Sequence, residues 1–368
     1  MGMRFGDSLQ VTLFGESHGS CVGALIEGMP AGTPIDPAAL VEDIARRRPG
    51  RKGLSTRSER DECEILSGVY EGRATGWPIL LLTRNSDVRS SDYSFLPDHP
   101  RPGHADMAEG IRLGGANDPR GGGSQSARLT FGLVSAGSQV RALLDDVGWS
   151  CAAHLHSIGE VSAKPLFELE RTTALDPASD MGRLNCRDSE AATRMSEHLE
   201  SVRKELDTIG STVELLIEGL PLGVGEPWFD GIEPALARGL MAIPGARAVE
   251  FAHGIDSSSM RGSQHNDAWL PGDAEPTPEG TQTGQADGVL GGRSTSAPIR
   301  AKVHFKPPSS LPREQFTLHL PSNQVRPLKV GGRHDPVIGP RAAPIVEAVA
   351  MLVIADLGML GGFIGEAE

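Results

Sequence analysis

The sequence predicts an α+β fold, and three observations carry the prediction. Short strands dominate, they come in consecutive groups without strict β-α alternation, and landmarks of the first half recur in order in the second. Strands are expected at 11–14, 22–27, 64–70, 79–83, 212–218 and 299–305, where β-branched or aliphatic runs end at turn residues. Asp36-Pro37 supplies an N-cap and a first-turn proline for a helix running to Arg48. From Ser126 onward, Leu129, Leu133, Ala136, Val140 and Leu144 fall at helical spacing, and a further helix is expected at 190–206. The apolar run 342–362 contains Pro344, Glu347 and Asp356, so it reads as a buried helix and not as a membrane span.

The repeat is collinear. Leu25-Ile26-Glu27-Gly28-Met29-Pro30-Ala31-Gly32 recurs as Leu216-Ile217-Glu218-Gly219-Leu220-Pro221-Leu222-Gly223. Gly68-Val69, Gly72-Arg73, Thr75 and Pro78-Ile79 recur at a second constant offset as Gly288-Val289, Gly292-Arg293, Thr295 and Pro298-Ile299. The change of offset marks an inserted loop, 256–286, rich in Gly, Ser, Gln and Asn. The expected organisation is one domain, 1–368, built of repeats at 5–150 and 209–362 with a connector at 160–208.

Composition narrows the function. Gly 46 and Pro 27 make up roughly a fifth of the 368 residues, so much of the chain is turn and loop. A net charge of −13 argues against nucleic acid and anionic membranes as partners. Cys21, Cys63, Cys151 and Cys186 are scattered and the first residues carry no apolar signal segment, so a reducing cytoplasm is expected.

Three segments place histidine among glycine, proline and charge, where core packing has little use for it: Gly15-Glu16-Ser17-His18-Gly19, Arg101-Pro102-Gly103-His104-Ala105-Asp106 and Gly332-Arg333-His334-Asp335-Pro336. The first matches G-x-S-x-G, but a strand follows it where a nucleophile elbow needs a helix, so His18 is the better candidate than Ser17. Asp118-Pro119-Arg120-Gly121-Gly122-Gly123-Ser124, before the helical stretch with Arg128, is a candidate anion site at a helix N-terminus. Arg46-Arg47-Arg48-Pro49-Gly50-Arg51-Lys52 is the one dense basic run; its consecutive side chains diverge, so one or two could face a shared ligand. Lys306-Pro307-Pro308-Ser309-Ser310 ends a strand with a cation and two hydroxyls. His154 and His156 share a strand face, no Cys or carboxylate completes a metal set with them, and they read as structural or surface residues with no metal expected.

In this order, the three histidine segments, the Arg-Arg-Arg-Pro-Gly run, the Arg-Gly-Gly-Gly loop, Gly225-Glu226-Pro227 and Lys306-Pro-Pro-Ser-Ser resemble the chorismate synthase family, from about residue 5 to 358. The resemblance implies a β-α-β sandwich with internal pseudo-symmetry, assembled as a homotetramer. It implies 1,4-anti elimination of phosphate from 5-enolpyruvylshikimate 3-phosphate to give chorismate, with reduced FMN and no net redox change, in the shikimate pathway of aromatic amino acid biosynthesis.

Residue by residue, the resemblance makes His18 the acid for the leaving phosphate, His104 the residue that protonates reduced flavin, and Asp335 the carboxylate that helps remove the substrate C6 proton. It assigns Ser17, Arg47, Arg48, Arg101, Arg128 and Arg333 to the substrate, and Ser126, Ala127, Gly288, Lys306, Ser309, Ser310 and again Arg333 to FMN. NADPH is a candidate reductant, and without a Gly-rich Rossmann fingerprint external supply of reduced flavin is preferred. Ser124 stands where many members have arginine, with Arg112 or Arg120 as compensating cations, and Arg51 and Lys52 receive no role. Two other readings stay open: a serine hydrolase using Ser17, and a non-catalytic flavin- or phosphometabolite-binding homologue.

Overall fold

The computed structural model describes residues 2–51, 53–55, 60–86, 89–269 and 287–365; Lys52 and the part of the expected inserted loop from 270 onward lie outside the described residues. The first half forms β1 (Arg4–Phe5), β2 (Gln10–Gly15), β3 (Cys21–Glu27), α1 (Pro37–Arg47), β4 (Glu64–Ser67), β5 (Val69–Tyr70), β6 (Arg73–Ala74), β7 (Ile79–Arg84), α2 (Asp106–Arg112) and α3 (Thr130–Asp146). Then come β8 (Ser150–Ile158), β9 (Val161–Ser162), α4 (Asp180–Leu184), α5 (Ser189–Lys204), β10 (Ser211–Glu218), α6 (Ile232–Met241), β11 (Ala246–Phe251) and α7 (Gly262–His265). The chain closes with β12 (Val289–Leu290), β13 (Arg293–Ser294), β14 (Ile299–Phe305), β15 (Gln315–His319), β16 (Gln324–Leu328) and α8 (Gly339–Leu360).

Two five-stranded antiparallel sheets result, ordered β1-β2-β3-β7-β4 and β11-β14-β10-β8-β9. Between them lies a helical layer: α3 packs on β3 and β7, α8 on β8 and β10, α3 and α8 on each other, with α1 and α6 alongside. The α+β expectation is met. Alternation in β14 sends Ile299, Ala301, Val303 and Phe305 into the core, as a period of two requires. Where α3 crosses α8 the backbones nearly touch: a Cβ on Gly137 would stand 2.6 Å from that of Ala348, so only glycine fits. The expected buried helix is α8, the one described helix long and apolar enough to cross a membrane; 89% of that apolar window is buried inside the fold.

Asp36 caps α1 as expected, its Oδ1 accepting from the Ala38 and Ala39 N–H groups at 2.8 and 3.2 Å. The C-terminal end of α1 is anchored in the helical layer. Arg46 donates two bonds to Glu347 of α8 at 2.7 and 3.0 Å, and Glu347 Oε2 also accepts from Ala153 N–H of β8. This anchor sets the direction in which Arg47 and Arg48 leave the helix.

Two expectations need correction. The strand expected at 64–70 is broken at Gly68, which takes φ +78 where a Cβ would stand 2.6 Å from the Pro78 carbonyl oxygen; β4 pairs with β7 while β5 turns away to pair with β6. The glycine loop does not open onto an α-helix N-terminus. Gly121, Gly122 and Gly123 all take positive φ within the 3-10 stretch Arg120–Gln125, Arg128 sits in a second 3-10 turn, and α3 begins only at Thr130. Successive left-handed residues turn the chain back, so these glycines can line a surface but do not extend a helix dipole.

Candidate active site

The loop between β2 and β3 carries the first histidine. Its ends are paired strand residues, Phe14 with Gly23 and Gly15 with Val22, so the strand-to-helix turn of a serine nucleophile elbow is not what this loop makes. Asn85, just beyond β7, holds the loop by donating from Nδ2 to the carbonyls of Glu16 and Gly19 at 3.0 and 2.9 Å. Ser17 N–H donates to Gly123 O at 3.1 Å, which ties the loop to the glycine stretch. His18 is oriented twice: Nδ1 lies 3.1 Å from Ser90 Oγ, and the ring meets Tyr93 edge to face at 5.1 Å.

The second segment is folded around Asp106. Its Oδ2 accepts from Arg101 Nε at 2.8 Å, and its Oδ1 accepts from Arg101 at 2.7 Å and lies 2.7 Å from His104 Nδ1. His104 Nδ1 also lies 3.2 Å from Arg101 Nη2, so carboxylate and guanidinium together fix the ring and leave Nε2 directed away from both. Burial opposes ionisation of Asp106, but the bonds and charges of Arg101 and His104 outweigh it and hold the carboxyl well below its usual range. Arg101 is buried over the face of Tyr93, 5.5 Å from the ring centre.

The Lys306-to-Ser310 segment locks this turn from below. Lys306 Nζ and Ser309 Oγ both donate to Gly103 O, at 2.5 and 2.7 Å, and Arg101 donates to Ser310 Oγ at 3.4 Å.

Glycine brings the two histidines to one surface. A Cβ on Gly121 would stand 2.6 Å from His18 Cδ2 and 2.7 Å from its Nε2; one on Gly122 would stand 3.3 Å from His104 Cε1. The third segment reaches the same hub, because the Gly332 backbone approaches Asp92 of the 3-10 turn Ser90–Tyr93, and a Cβ there would lie 3.4 Å from Asp92 Oδ2. His334 bends back on its own loop, Nε2 2.8 Å from Gly331 O.

The basic residues separate as their positions dictate. Arg47 is fully buried and donates to Asp61 Oδ2 at 2.7 Å, Arg128 donates to Asp61 Oδ1, and Arg48 donates to the Asp61 carbonyl at 3.3 Å. Asp335 Oδ2 accepts from Arg341 at 2.6 Å and its Oδ1 from Ser55 N–H at 3.2 Å, while Ser55 Oγ donates to the Arg333 carbonyl. Arg341 Nε donates in turn to Arg47 O at 3.1 Å, so the Asp335 and Arg47 segments are joined. Arg51 serves the fold: it donates to the carbonyls of Ala45, Arg46, Gly182 and Arg183, and burial with repulsion from Arg46 and Arg341 lowers it to about 10.

The cofactor set expected from the sequence is only partly brought together. Ser126 accepts from Arg128 N–H and lines, with Ser124, a mostly apolar cavity of about 640 Å³ walled by Phe5, Leu13, Leu129 and Leu133. Ala127 opens the 3-10 turn beside it. Gly288 packs on Ala297 and Pro298 before β14 begins, whereas Lys306 follows its last residue, so the length of β14, roughly 20 Å, separates them. Arg120 forks onto Asp118 at 2.8 and 2.7 Å, which commits one of the two cations considered as compensation for Ser124. Arg112 ends α2.

Several residues here escaped the sequence reading. Asp61, Asn85, Ser90, Asp92 and Arg341 belong to no motif and are joined to the site only by the fold. Asp106 stood inside a motif unassigned. Tyr93 did carry a signal, as one of only two tyrosines in the chain.

A correction applies to His154 and His156. A carboxylate does complete their cluster, supplied by Glu214 of neighbouring β10, with Oε2 3.3 Å from His154 Nε2 and 3.4 Å from His156 Nδ1. Arg187 N–H donates to His154 Nδ1 at 3.4 Å, so the ring proton is on Nε2 and donates to Glu214. The cluster is a hydrogen-bonded strut between strands.

Comparison with known proteins agrees with this picture. A family model described as Chorismate synthase matches residues 9–359. Chorismate synthase of Methanosarcina mazei is 41% identical over 370 residues, covering 99% of this chain and 98% of that protein. Chorismate synthase of Aeropyrum pernix is 44% identical over 359 residues, covering 96% and 92% respectively. A solved structure, "Crystal Structure of Chorismate Synthase", is similar in fold with a TM-score of 0.72 at 24% identity, over 98% of this chain and 94% of that one.

Proposed function

The chain belongs to the chorismate synthase family, and on that premise we propose that it eliminates phosphate from 5-enolpyruvylshikimate 3-phosphate in the 1,4-anti sense to give chorismate, with reduced FMN bound and no net redox change. One observation carries the reading: His18 and His104 converge on the Gly121-Gly122 surface, each oriented by its own partner.

The substrate carries one phosphate and two carboxylates, and a chain of net charge −13 must meet them with a local excess of arginine. Arg47, Arg48, Arg101, Arg128 and Arg333, with Ser17, are the groups assigned to those anions. Ser90 Oγ holds His18 by Nδ1, so Nε2, on the side facing Gly121, is the atom that delivers a proton to the leaving phosphate oxygen. Asp106 and Arg101 hold His104 by Nδ1 and leave Nε2 as the exchanging atom. Asp335, held by Arg341 and Ser55 N–H, is the carboxylate placed to help remove the C6 proton.

The residues present fit a flavin mononucleotide. Lys306, Ser309, Ser310, Ser126, Ala127 and Arg333 supply cations and donors suited to a phosphate and a polar ring edge. Reduced flavin, when bound, supplies transient electron density to the substrate and takes it back. Gly288 lies a strand's length from Lys306, and a homotetramer is the proposed assembly. The matching hairpins β5-β6 and β12-β13 support the proposal of two internal repeats. A cytoplasmic location accords with four free thiols, and external supply of reduced flavin is preferred over NADPH oxidation by the chain itself.

The test is phosphate release under strictly anaerobic conditions, with chemically reduced FMN in one arm and NADPH plus oxidised FMN in the other. Phosphate release is expected in the first arm. His104→Ala is expected to slow it by about 10²- to 10⁴-fold, the range of a lost acid-base group; unchanged turnover removes His104 from the mechanism.

A further inference from the structure

We propose that Asn85 is a positioning residue for His18, whose side-chain amide pins the turn bearing that histidine to the core. The inference rests on the role given to His18 above. Asn85 follows the last residue of β7 and belongs to none of the sequence motifs. Its N–H donates to Ser20 O at 3.1 Å, which extends the β3-β7 pairing by one step and brings the side chain against the loop between β2 and β3.

Ser17 and His18 occupy the two corners of a tight turn, closed by Gly19 N–H donating to Glu16 O at 3.0 Å. Asn85 Nδ2 donates to both ends of that turn, to Glu16 O at 3.0 Å and to Gly19 O at 2.9 Å, while its Oδ1 accepts from Arg128 Nε at 3.1 Å. The partners fix which way the amide faces, because two carbonyls require donors and a guanidinium requires an acceptor. Arg128 is itself bonded to the buried Asp61 carboxylate and stands two residues before α3. The oxygen end of Asn85 is therefore anchored in the core, and the nitrogen end fixes the turn. Aspartate has no donor for the two carbonyls, and alanine reaches neither side. The turn carries His18 to Gly121, where a Cβ would stand 2.7 Å from its Nε2, so the ring sits in a close-fitting place that a small shift of the turn disturbs.

The experiment is a double-mutant cycle on anaerobic phosphate release with reduced FMN, combining Asn85→Ala with His18→Ala, each variant checked for folding by circular dichroism. Asn85→Ala alone is expected to lower kcat by about 10²-fold, the scale of a misplaced reacting group, while KM for the substrate changes by less than about threefold. In the His18→Ala background the same substitution is expected to cost less than about threefold, because the group it positions is already gone. Equal losses in the two backgrounds overturn the proposal, as do wild-type kinetics or a raised KM with kcat unchanged. Should Asn85→Ala not fold, Asn85→Ser is carried through the same cycle and read by the same criteria; failure of both to fold makes Asn85 a residue of the fold alone and overturns the proposal. Absence of phosphate release by wild type, or undiminished release by His18→Ala, would instead defeat the functional reading, so the two failures are distinct.

Discussion

His104 Nδ1 lies 2.7 Å from Asp106 Oδ1, and the same carboxylate is forked by Arg101. The imidazole is therefore aimed by a group two residues away, and the aim survives only while that group is an acceptor on both oxygens. Asp106→Asn puts an amide N–H against a donor. Turnover is expected to fall by about 10- to 100-fold, the usual cost of losing a carboxylate behind a functional histidine, with little change in the circular dichroism spectrum. Steady-state kinetics beside His104→Ala checks it, and a variant as active as wild type removes Asp106 from the site.

Gly121 takes φ +61, and a Cβ there would fall 2.6 to 2.8 Å from His18 Cδ2, His18 Nε2 and Ser17 Oγ. The left-handed backbone alone costs alanine roughly 1–2 kcal/mol, which the fold can absorb. Displacing the His18 ring cannot be absorbed by the chemistry. Gly121→Ala is expected to stay folded and to lose about 10²-fold in kcat, the scale of a misplaced reacting group. Gly115→Ala is the control, because its φ of +80 carries the same backbone strain while nothing lies within 4 Å of the new Cβ.

Glu214 makes stability depend on acid. Burial raises its pKa, but bonds and charges from His154 and His156 outweigh burial and bring it down to about 2. A folded value below the unfolded one, about 4.3, means the contribution is fully present above that unfolded value and is lost as pH falls toward 2. His154, lowered mainly by burial, acts with the same sign, its contribution declining below the ordinary histidine range. Urea midpoints at pH 7, 5 and 3 should fall more steeply for wild type than for Glu214→Gln.

Glu347 joins α8, α1 and β8 through Arg46 and Ala153 N–H. Glu347→Gln leaves Arg46 without its buried partner and is expected to cost about 3 kcal/mol or more, read as a lowered urea midpoint. Because Arg46 fixes the end of α1, turnover should fall as well. An unchanged midpoint would show that Arg141 and Asp43, 2.9 Å apart nearby, suffice to hold that helix end.

Much of the fold was legible because it rests on local patterns. The strand at 299–305 was read to the residue, since alternate side chains facing core and solvent leave a period of two in the sequence. The α1 cap was equally plain, since Asp36 bonds backbone groups only two and three residues on. The split at Gly68 was not visible, because the reason for it is a carbonyl ten residues away in sequence, at Pro78. The glycine stretch misled for a related reason: its composition suited a helix N-terminus, and only the positive φ values show that it turns.

The candidate site divides the same way. Its titratable residues announced themselves, because His18, His104 and Asp335 lie among glycine, proline and arginine, where packing gives no reason for them. By itself the sequence thus determined the α+β class, the core helices, the family resemblance and the histidine segments, all properties of short windows or of their order. Only the tertiary structure decided what each of these residues leans on: Ser90 and Tyr93 for His18, Arg341 for Asp335, Asp61 for Arg47 and Arg128. Those partners lie far along the chain, and an ion pair or ring contact between distant residues leaves no period, cap or spacing for a single sequence to display.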